Sequence, residues 1–337
     1  MRDLDVVLCG YYGFHNLGDD LLAESILMLL ERCGIKKEKV GILSAAPAES
    51  EELLGITAVN RWRIGDVYRL LKRSRTLLLG GGGLFQDTTS IRSCLYYWGV
   101  VLLARFCGCT VWAVGQSVGP FRSSFSRLIA GSAFRLCRWI GVRDKRSQMM
   151  LKNWGIESLL SPDLVLAFDL PPLEDGEECI LLNLRPWKRS FLEEVLNAAK
   201  TLSSDYKTKI CCVAFSEEDL TLLKSLQAEG CLPDGDVVLI HTLEDFTRVA
   251  RGASAGLGMR LHFSVLCVLA GIPVIAAAYD PKVRSFAEEW NLSLLNEAST
   301  SYPLFSNNEK LLTEARDQIM AIFSRGVLAL IGKKETE

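Results

Sequence analysis

Between residues 5 and 290 one pattern recurs: a short apolar run, a break rich in glycine or small polar residues, then a longer segment with helical spacing. Strands separated by helices in this way run parallel, because each crossover returns the chain to its starting edge before the next strand begins. DVVLCG (5–10), KVGILSA (39–45), TLLLGGG (76–82), TVWAVGQ (110–116) and WIGVRD (139–144) read as strands. Helices are expected around 19–33, 64–74, 93–107, 123–138 and 145–154, and a last strand of this set at LLSPDLVLAF (159–168). The polar stretch PPLEDGEE (171–178) then interrupts, and the pattern restarts at CILLNLRPW (179–187). Strands at 209–215, 236–242, 253–257 and 272–279 follow, alternating with helices at 190–203, 217–228, 243–251, 259–270 and 281–290. The expected fold is α/β, with two Rossmann-like doubly wound domains facing a cleft. Their bounds are 1–170 and 177–306, and a helical segment in 307–337 is able to pack back on the first domain.

Composition narrows the function classes. Hydrophobic residues make up 49% of the 337 and charged residues 23%, the balance of a globular chain with a large core. With 38 basic and 40 acidic side chains, the chain lacks the positive excess that generic nucleic-acid binding uses, so no nucleic-acid partner is expected. Eleven cysteines occur without a CxxC, and Cys107/Cys109 and Cys211/Cys212 have neither metal-site nor disulfide-framework spacing; reduced thiols and no metal are expected. The start, Met1-Arg2-Asp3 leading into a strand, lacks signal-peptide character, so a cytoplasmic location is expected. LYYWGVVLLARF (95–106) is too short to span a bilayer, which takes about 20 apolar residues, and reads as a buried core helix. RWRIGDVYRLLKRSR (61–75) carries six basic residues and two aromatics around one acid. It reads either as a solvated helix face or as a patch for anionic lipid or a diphosphate-linked acceptor, with peripheral contact at the inner membrane leaflet.

In open parallel sheets, ligands bind beyond the carboxyl ends of the strands. After the first strand comes GYYGFHNLGDD (10–20), a glycine-rich loop able to present amides to an anion, with Asn16, Gly18 and Asp19 as binding candidates and a helix starting near Asp20. It has neither P-loop nor GxGxxG spacing. After the third strand comes GGGGLFQDTTSIRS (80–93). There Gly82 and Gly83 allow close approach, and Gln86, Asp87, Thr88, Thr89 and Arg92 are suited to sugar hydroxyls or an anion. Gln116, Arg143 and Asp144 end the next strands on the same rim, where Asp144 is also placed simply to pair with Arg143. In the second domain Arg185 follows the first strand and Asp219 the second, the latter equally readable as a helix cap. Arg260 and His262 open one helix; the chain descends it and returns along a strand to Lys282, so the three share one face and suit a phosphate or carboxylate. Of the other histidines, His15 lies in the first loop and His241 at a strand end.

Taken in order, GYYGFHNLGDD, GGGGLFQDTTSIRS, GQSVGP, VRDKRS, NLRPW, GMRLH and YDPKV resemble the polysaccharide pyruvyl transferase family, specifically its CsaB-type branch. The resemblance, covering about residues 5 to 290, implies transfer of the enolpyruvyl unit of phosphoenolpyruvate to a sugar, forming a 4,6-linked pyruvate ketal on β-linked N-acetylmannosamine. The implied acceptor is a lipid-linked cell-wall polysaccharide precursor, whose ketal anchors surface-layer proteins. Phosphoenolpyruvate is the donor substrate and no cofactor is implied. Arg143, His262 and Lys282 match family positions expected to hold it, with Arg260 beside them, while Asp87 and Arg92 fall on the acceptor side. Protonation at C3 needs an acid, for which Asp163 and Asp219 are the candidates. Three departures stand out: His15 in place of a small residue, Asp20 in place of glutamate, and Ser-Pro-Asp at 161–163 in place of the Asp-Pro order. The two-domain pattern is also that of GT-B enzymes, so a nucleotide-sugar glycosyltransferase is the rival reading, and a non-catalytic carbohydrate-carrier binder a third. The sequence leaves the oligomeric state open.

Overall fold

The computed structural model describes residues 2–87, 91–171, 173–232, 237–295 and 308–331. They form two compact units, Met1–Ala167 with Ala315–Glu337, and Phe168–Glu314. The first contains β1 (Leu4–Cys9), β2 (Val40–Ser44), β3 (Thr57–Asn60), β4 (Ser74–Phe85), β5 (Thr110–Val118), β6 (Trp139–Val142) and β7 (Leu159–Leu160). All pair in parallel, in the order β3-β2-β1-β4-β5-β6-β7. Its helices are α1 (Leu17–Arg32), α2 (Pro47–Leu54), α3 (Ile64–Lys72), α4 (Ile91–Phe106), α5 (Ser124–Arg135) and α6 (Lys145–Asn153). The chain builds outward from β1 to β3, then crosses back to β4, so the order reverses between β1 and β4. Right-handed crossovers put α3, α4 and α5 together on one sheet face, where Val67, Leu70, Tyr97, Val101 and Phe134 share a core.

Three local readings change. The pair α2 and β3 has no strong signal in the sequence: β3 is the four-residue TAVN, a partly exposed edge strand. The strand expected over 159–168 ends after Leu160, and Leu164–Ala167 form a buried 3-10 turn. Pro162 cannot donate to a ladder, and the Asp163 carboxylate accepts from Val165 N at 3.1 Å, which starts the turn. The segment 95–106, expected as a buried core helix, lies within α4 in the outer layer with Leu95, Leu102 and Phe106 exposed.

The second unit contains β8 (Cys179–Asn183), β9 (Lys209–Ala214), β10 (Val237–Leu239), β11 (Ala253–Gly258), β12 (Val274–Ala276) and β13 (Ser293–Leu294). They too run parallel, in the order β10-β9-β8-β11-β12-β13, with the reversal between β8 and β11. Its helices are α7 (Arg189–Tyr206), α8 (Glu217–Ala228), α9 (Leu243–Val249), α10 (Leu261–Leu269) and α11 (Pro281–Glu289). From Ala315 onward, α12 (Glu309–Ile331) belongs to the first unit. There Gln318 Nε2 donates to Leu160 O at 2.7 Å and Arg316 Nε to Leu166 O at 3.2 Å, while Ile319, Phe323 and Val327 are buried. Among the described residues no helix is long and apolar enough to cross a membrane. Ile319→Ala should lower unfolding stability by about 2–5 kcal/mol, and Leu328→Ala, at an exposed position of the same helix, by no more than about 0.5 kcal/mol; chemical denaturation reads both.

Candidate functional site

Each sheet presents strand carboxyl ends and the following helix N-termini along one edge. In the first unit, Asn16 caps α1 by accepting from Gly18 N at 3.2 Å, so the helix begins three residues before Asp20 and brings Asp19 and Asp20 into its first turn. Gly18 is buried and its N–H taken by that cap, which removes it as a ligand contact. Tyr12 donates its hydroxyl to Gly80 O at 2.7 Å, and a Cβ on Gly80 would lie 2.4 Å from that hydroxyl. The four glycines, expected to open a loop, lie inside β4. Gly81 and Gly82 take positive φ of 65° and 77°, and the ladder to β5 is irregular between Gly82 and Phe85. A Cβ on Gly82 would sit 3.2 Å from Asp19 Oδ1, whereas one on Gly83 would meet only an ordinary contact at 3.9 Å, so the edge is most open at Gly83.

Several rim candidates are committed to the protein itself. Gln116 is fully buried, its amide donating to Leu79 O at 3.2 Å and Gly81 O at 3.1 Å; it pins the glycine strand and does not reach the rim. Asp87 accepts from Arg122 N at 2.6 Å and Ser123 N at 2.8 Å. Desolvation works to raise its pKa, but these amides prevail and hold the carboxyl below its ordinary range, so Asp87 ties down the loop before α5 instead of meeting a sugar. Gln86 is half-buried and Arg92 exposed at the start of α4; Thr88 and Thr89 lie outside the described residues. Sequence reasoning missed Arg61, a buried guanidinium that donates to Gly10 O at 2.7 Å and stands 4.4–5.4 Å from the rings of Phe14, Trp62, Tyr96 and Tyr97. It fastens the β1–α1 loop to α4; its only sequence signal is an arginine followed by spaced aromatics.

At the ends of β5 and β6, Arg143 Nη1 donates to Asp163 Oδ2 at 2.8 Å with both side chains buried, and Nε donates to Ser117 Oγ at 2.8 Å. Asp144 does not pair with Arg143. It caps α6 through Ser147 N at 2.7 Å and accepts from Ser117 Oγ at 2.9 Å. Asp163 is therefore the anchor of Arg143. Arg143 thus has both its Nε and its Nη1 committed to protein partners. Asp20, in the first turn of α1, holds its proton more tightly than an ordinary aspartate. Burial, reinforced by Asp19, Glu24 and Glu49 against one hydrogen bond from the Gly13 amide, pushes it up to about 7. In the sequence it looks like an ordinary acid in a helix's first turn.

In the second unit, fully buried Asn183 ends β8, donating to Val213 O at 2.9 Å and accepting from Arg260 N at 3.2 Å. Fully buried Asp219 accepts from Phe215 N at 3.2 Å and from Arg260 Nε and Nη2 at 2.5 and 2.7 Å, and Arg260 Nη2 also donates to Ser216 Oγ at 2.7 Å. Two assignments change. Asp219 uses both oxygens as acceptors within the protein, and the Arg260 charge is balanced by Asp219 instead of facing an anion. The half-buried cationic and imidazole groups of this edge are Arg185, His262 and Lys282. Arg185 Nη1 donates to Tyr279 Oη at 2.7 Å, while its Nε is buried with no hydrogen-bond partner among the described residues. Trp187 meets the Tyr279 ring edge-on at 4.9 Å. His262 and Lys282 are each the second residue of a helix, α10 and α11 respectively, and both are half-buried. Those helices follow β11 and β12, which are adjacent and parallel, so both first turns lie on one edge with their amides and positive dipole ends. That edge suits a compact polyanion. His15 is an exposed residue 3.5 Å from Glu49, and His241 only donates its backbone to the Asp245 cap of α9. Among the described residues no three His, Cys, Asp or Glu side chains gather as a metal site.

A family profile described as polysaccharide pyruvyl transferase matches residues 16–281. The search of curated proteins gave no match. Among solved structures, the chain is similar to UDP-GlcNAc 2-epimerase of Methanocaldococcus jannaschii in complex with UDP-GlcNAc and UDP, at 13% identity and TM-score 0.59, covering 97% of this chain and 99% of that one. Anabaena HepE in complex with UDP is similar at 11% identity and TM-score 0.56, over 99% and 98% of the two chains. MurG of Acinetobacter baumannii is similar at 11% identity and TM-score 0.51, over 98% and 99%. At this identity the likeness is one of fold, the GT-B architecture.

Asp219→Ala should lower stability by about 3–5 kcal/mol, because it leaves the Arg260 charge without its partner, as denaturant unfolding would show. Asp20 acts in the opposite direction. Its folded pKa lies above the unfolded value, so the native state binds the extra proton and stability falls as pH rises from about 4 to about 7. Asp20→Asn should flatten that fall, leaving the variant more stable than the parent above pH 7 when melting is followed across pH.

Proposed function

The chain belongs to the polysaccharide pyruvyl transferase family, and from that premise we propose that it transfers the enolpyruvyl unit of phosphoenolpyruvate to two hydroxyls of a sugar, forming a pyruvate ketal and releasing phosphate. The observation that carries this reading is the pair of neighbouring helix N-termini bearing His262 and Lys282, beside the partly unsatisfied guanidinium of Arg185. Phosphoenolpyruvate is a compact anion with a carboxylate and a phosphate, and fixed cations and amides stabilise both without a metal. On this reading Lys282 and His262 hold the donor. The β1–α1 loop, Asn16, Asp19 and the Gly82–Gly83 segment, with Gln86 and Arg92, serve the acceptor. We assign the chain to the CsaB-type branch, with a β-linked N-acetylmannosamine of a lipid-linked cell-wall precursor as acceptor and surface-layer anchoring as the use of the product.

The chemistry needs one proton delivered to C3 of the donor. C2 then carries the positive charge, the first sugar hydroxyl adds and passes its proton to the phosphate group, and phosphate leaves with its bonding electrons and that proton. The second hydroxyl closes the ketal and returns a proton to the acid. Donor plus diol thus equals ketal plus phosphate. His262→Ala and Lys282→Ala should each cut acceptor-dependent phosphate release at least about a hundredfold while the circular dichroism melt stays that of the parent. Wild-type turnover in either cation variant would remove its role, and phosphate release supported only by nucleotide sugars would remove the reaction.

A further inference from the structure

The outer face of the α3–α4–α5 layer is chemically unlike the rest of the chain. The sequence segment 61–139, which carries these helices, contains 12 Lys or Arg and only 2 Asp or Glu, in a chain with 38 and 40 overall; of these Arg61 is buried, and Arg73 and Arg75 pair with Asp3 and Asp5. The inward faces of these helices fill the core under the sheet, yet the outward faces are not polar. On α4, Ile91, Leu95, Leu102 and Phe106 recur at helical spacing on the side opposite buried Cys94, Tyr97, Val101 and Ala104, and all four are exposed, Phe106 by 77%. Neighbouring α3 exposes Ile64 by 71%, and α5 exposes Phe125 and Leu128 by 54% and 65%. A helix apolar on both faces calls for a second apolar neighbour, and an apolar area of this extent on an outer layer marks an interaction site. Exposed Arg63, Lys72, Arg105 and Arg127 lie on the same three helices or just before them.

We propose that this face of α3, α4 and α5 docks on a bilayer containing anionic phospholipid, the apolar side chains entering the interface and the basic ones meeting headgroups. Charge selects this occupant. A second copy of the chain would press one cationic face on another. A nucleic acid would answer the charge but leave Ile64, Leu95, Leu102, Phe106 and Leu128 in water, whereas an anionic bilayer satisfies both sets of side chains. Exposed Trp62, beside the Arg61 cluster that fastens the β1–α1 loop, joins this face to the acceptor edge of the first unit. The surface stands apart from the identity of the reaction, and binding alone tests it.

The full chain should co-float with phosphatidylcholine vesicles containing phosphatidylglycerol, fail to float with pure phosphatidylcholine, and be released by salt. Leu102→Ser/Phe106→Ser should weaken that partition at least about tenfold with an unchanged melt; if that protein does not fold, Lys72→Glu/Arg127→Glu gives the same reading through charge. No flotation at low ionic strength would overturn the proposal. So would flotation that neither double variant reduces, a dimer in solution that Leu102→Ser/Phe106→Ser dissolves, or single-stranded RNA binding more tightly than the vesicles.

Discussion

Two buried arginine–carboxylate pairs, one in each unit, fix the edges on which the chemistry depends. Asp163 locks Arg143 at 2.8 Å, and Asp219 locks Arg260 through both oxygens. Each pair joins segments distant in sequence: 20 residues separate the first partners and 41 the second. A buried ion pair of this kind contributes little net stability, but removing one partner is expensive, so it acts mainly to hold one arrangement. Around Arg143 the lock passes through Ser117 and Asp144 into the start of α6. Around Arg260 it passes through Asn183 and Ser216 into β8 and α8.

Once these edges are fixed, the groups left over carry the functional reading. Arg185 Nε is buried with no hydrogen-bond partner among the described residues, and Lys282 and His262 stand in the first turns of neighbouring helices. Asp20 is the counterpart in charge logic. Arginine-bound carboxylates serve as acceptors, while Asp20, crowded by acids and half-buried, keeps its proton to about neutral pH.

The fold was legible because a period-2 or continuous apolar run alternating with helical spacing admits few parallel-sheet solutions. Less was legible where the signal is not local. TAVN in β3 has no hydrophobic run, and Leu164–Ala167 has one yet turns, because a proline and a carboxylate cap decide the backbone. The identity of the edge residues was readable from their place after each strand; their commitments were not. Gln116, Asp87, Asp219 and Arg260 look like ligand contacts in the chain and bind protein in the fold. Asp20 was hidden for the opposite reason, since its altered acidity comes from neighbours that sequence spacing does not reveal. The apolar run of α4 was visible, but which of its faces the core would cover was not.

Running the reaction in heavy water tests the central claim most directly, with phosphoenolpyruvate, a β-N-acetylmannosamine disaccharide and mass and proton spectra of the product. Proton delivery to C3 followed by two hydroxyl additions predicts a ketal whose methyl group carries one solvent deuterium, with one phosphate released per ketal. A product that gains phosphate instead of pyruvate, or a ketal whose methyl group carries no deuterium, would contradict it.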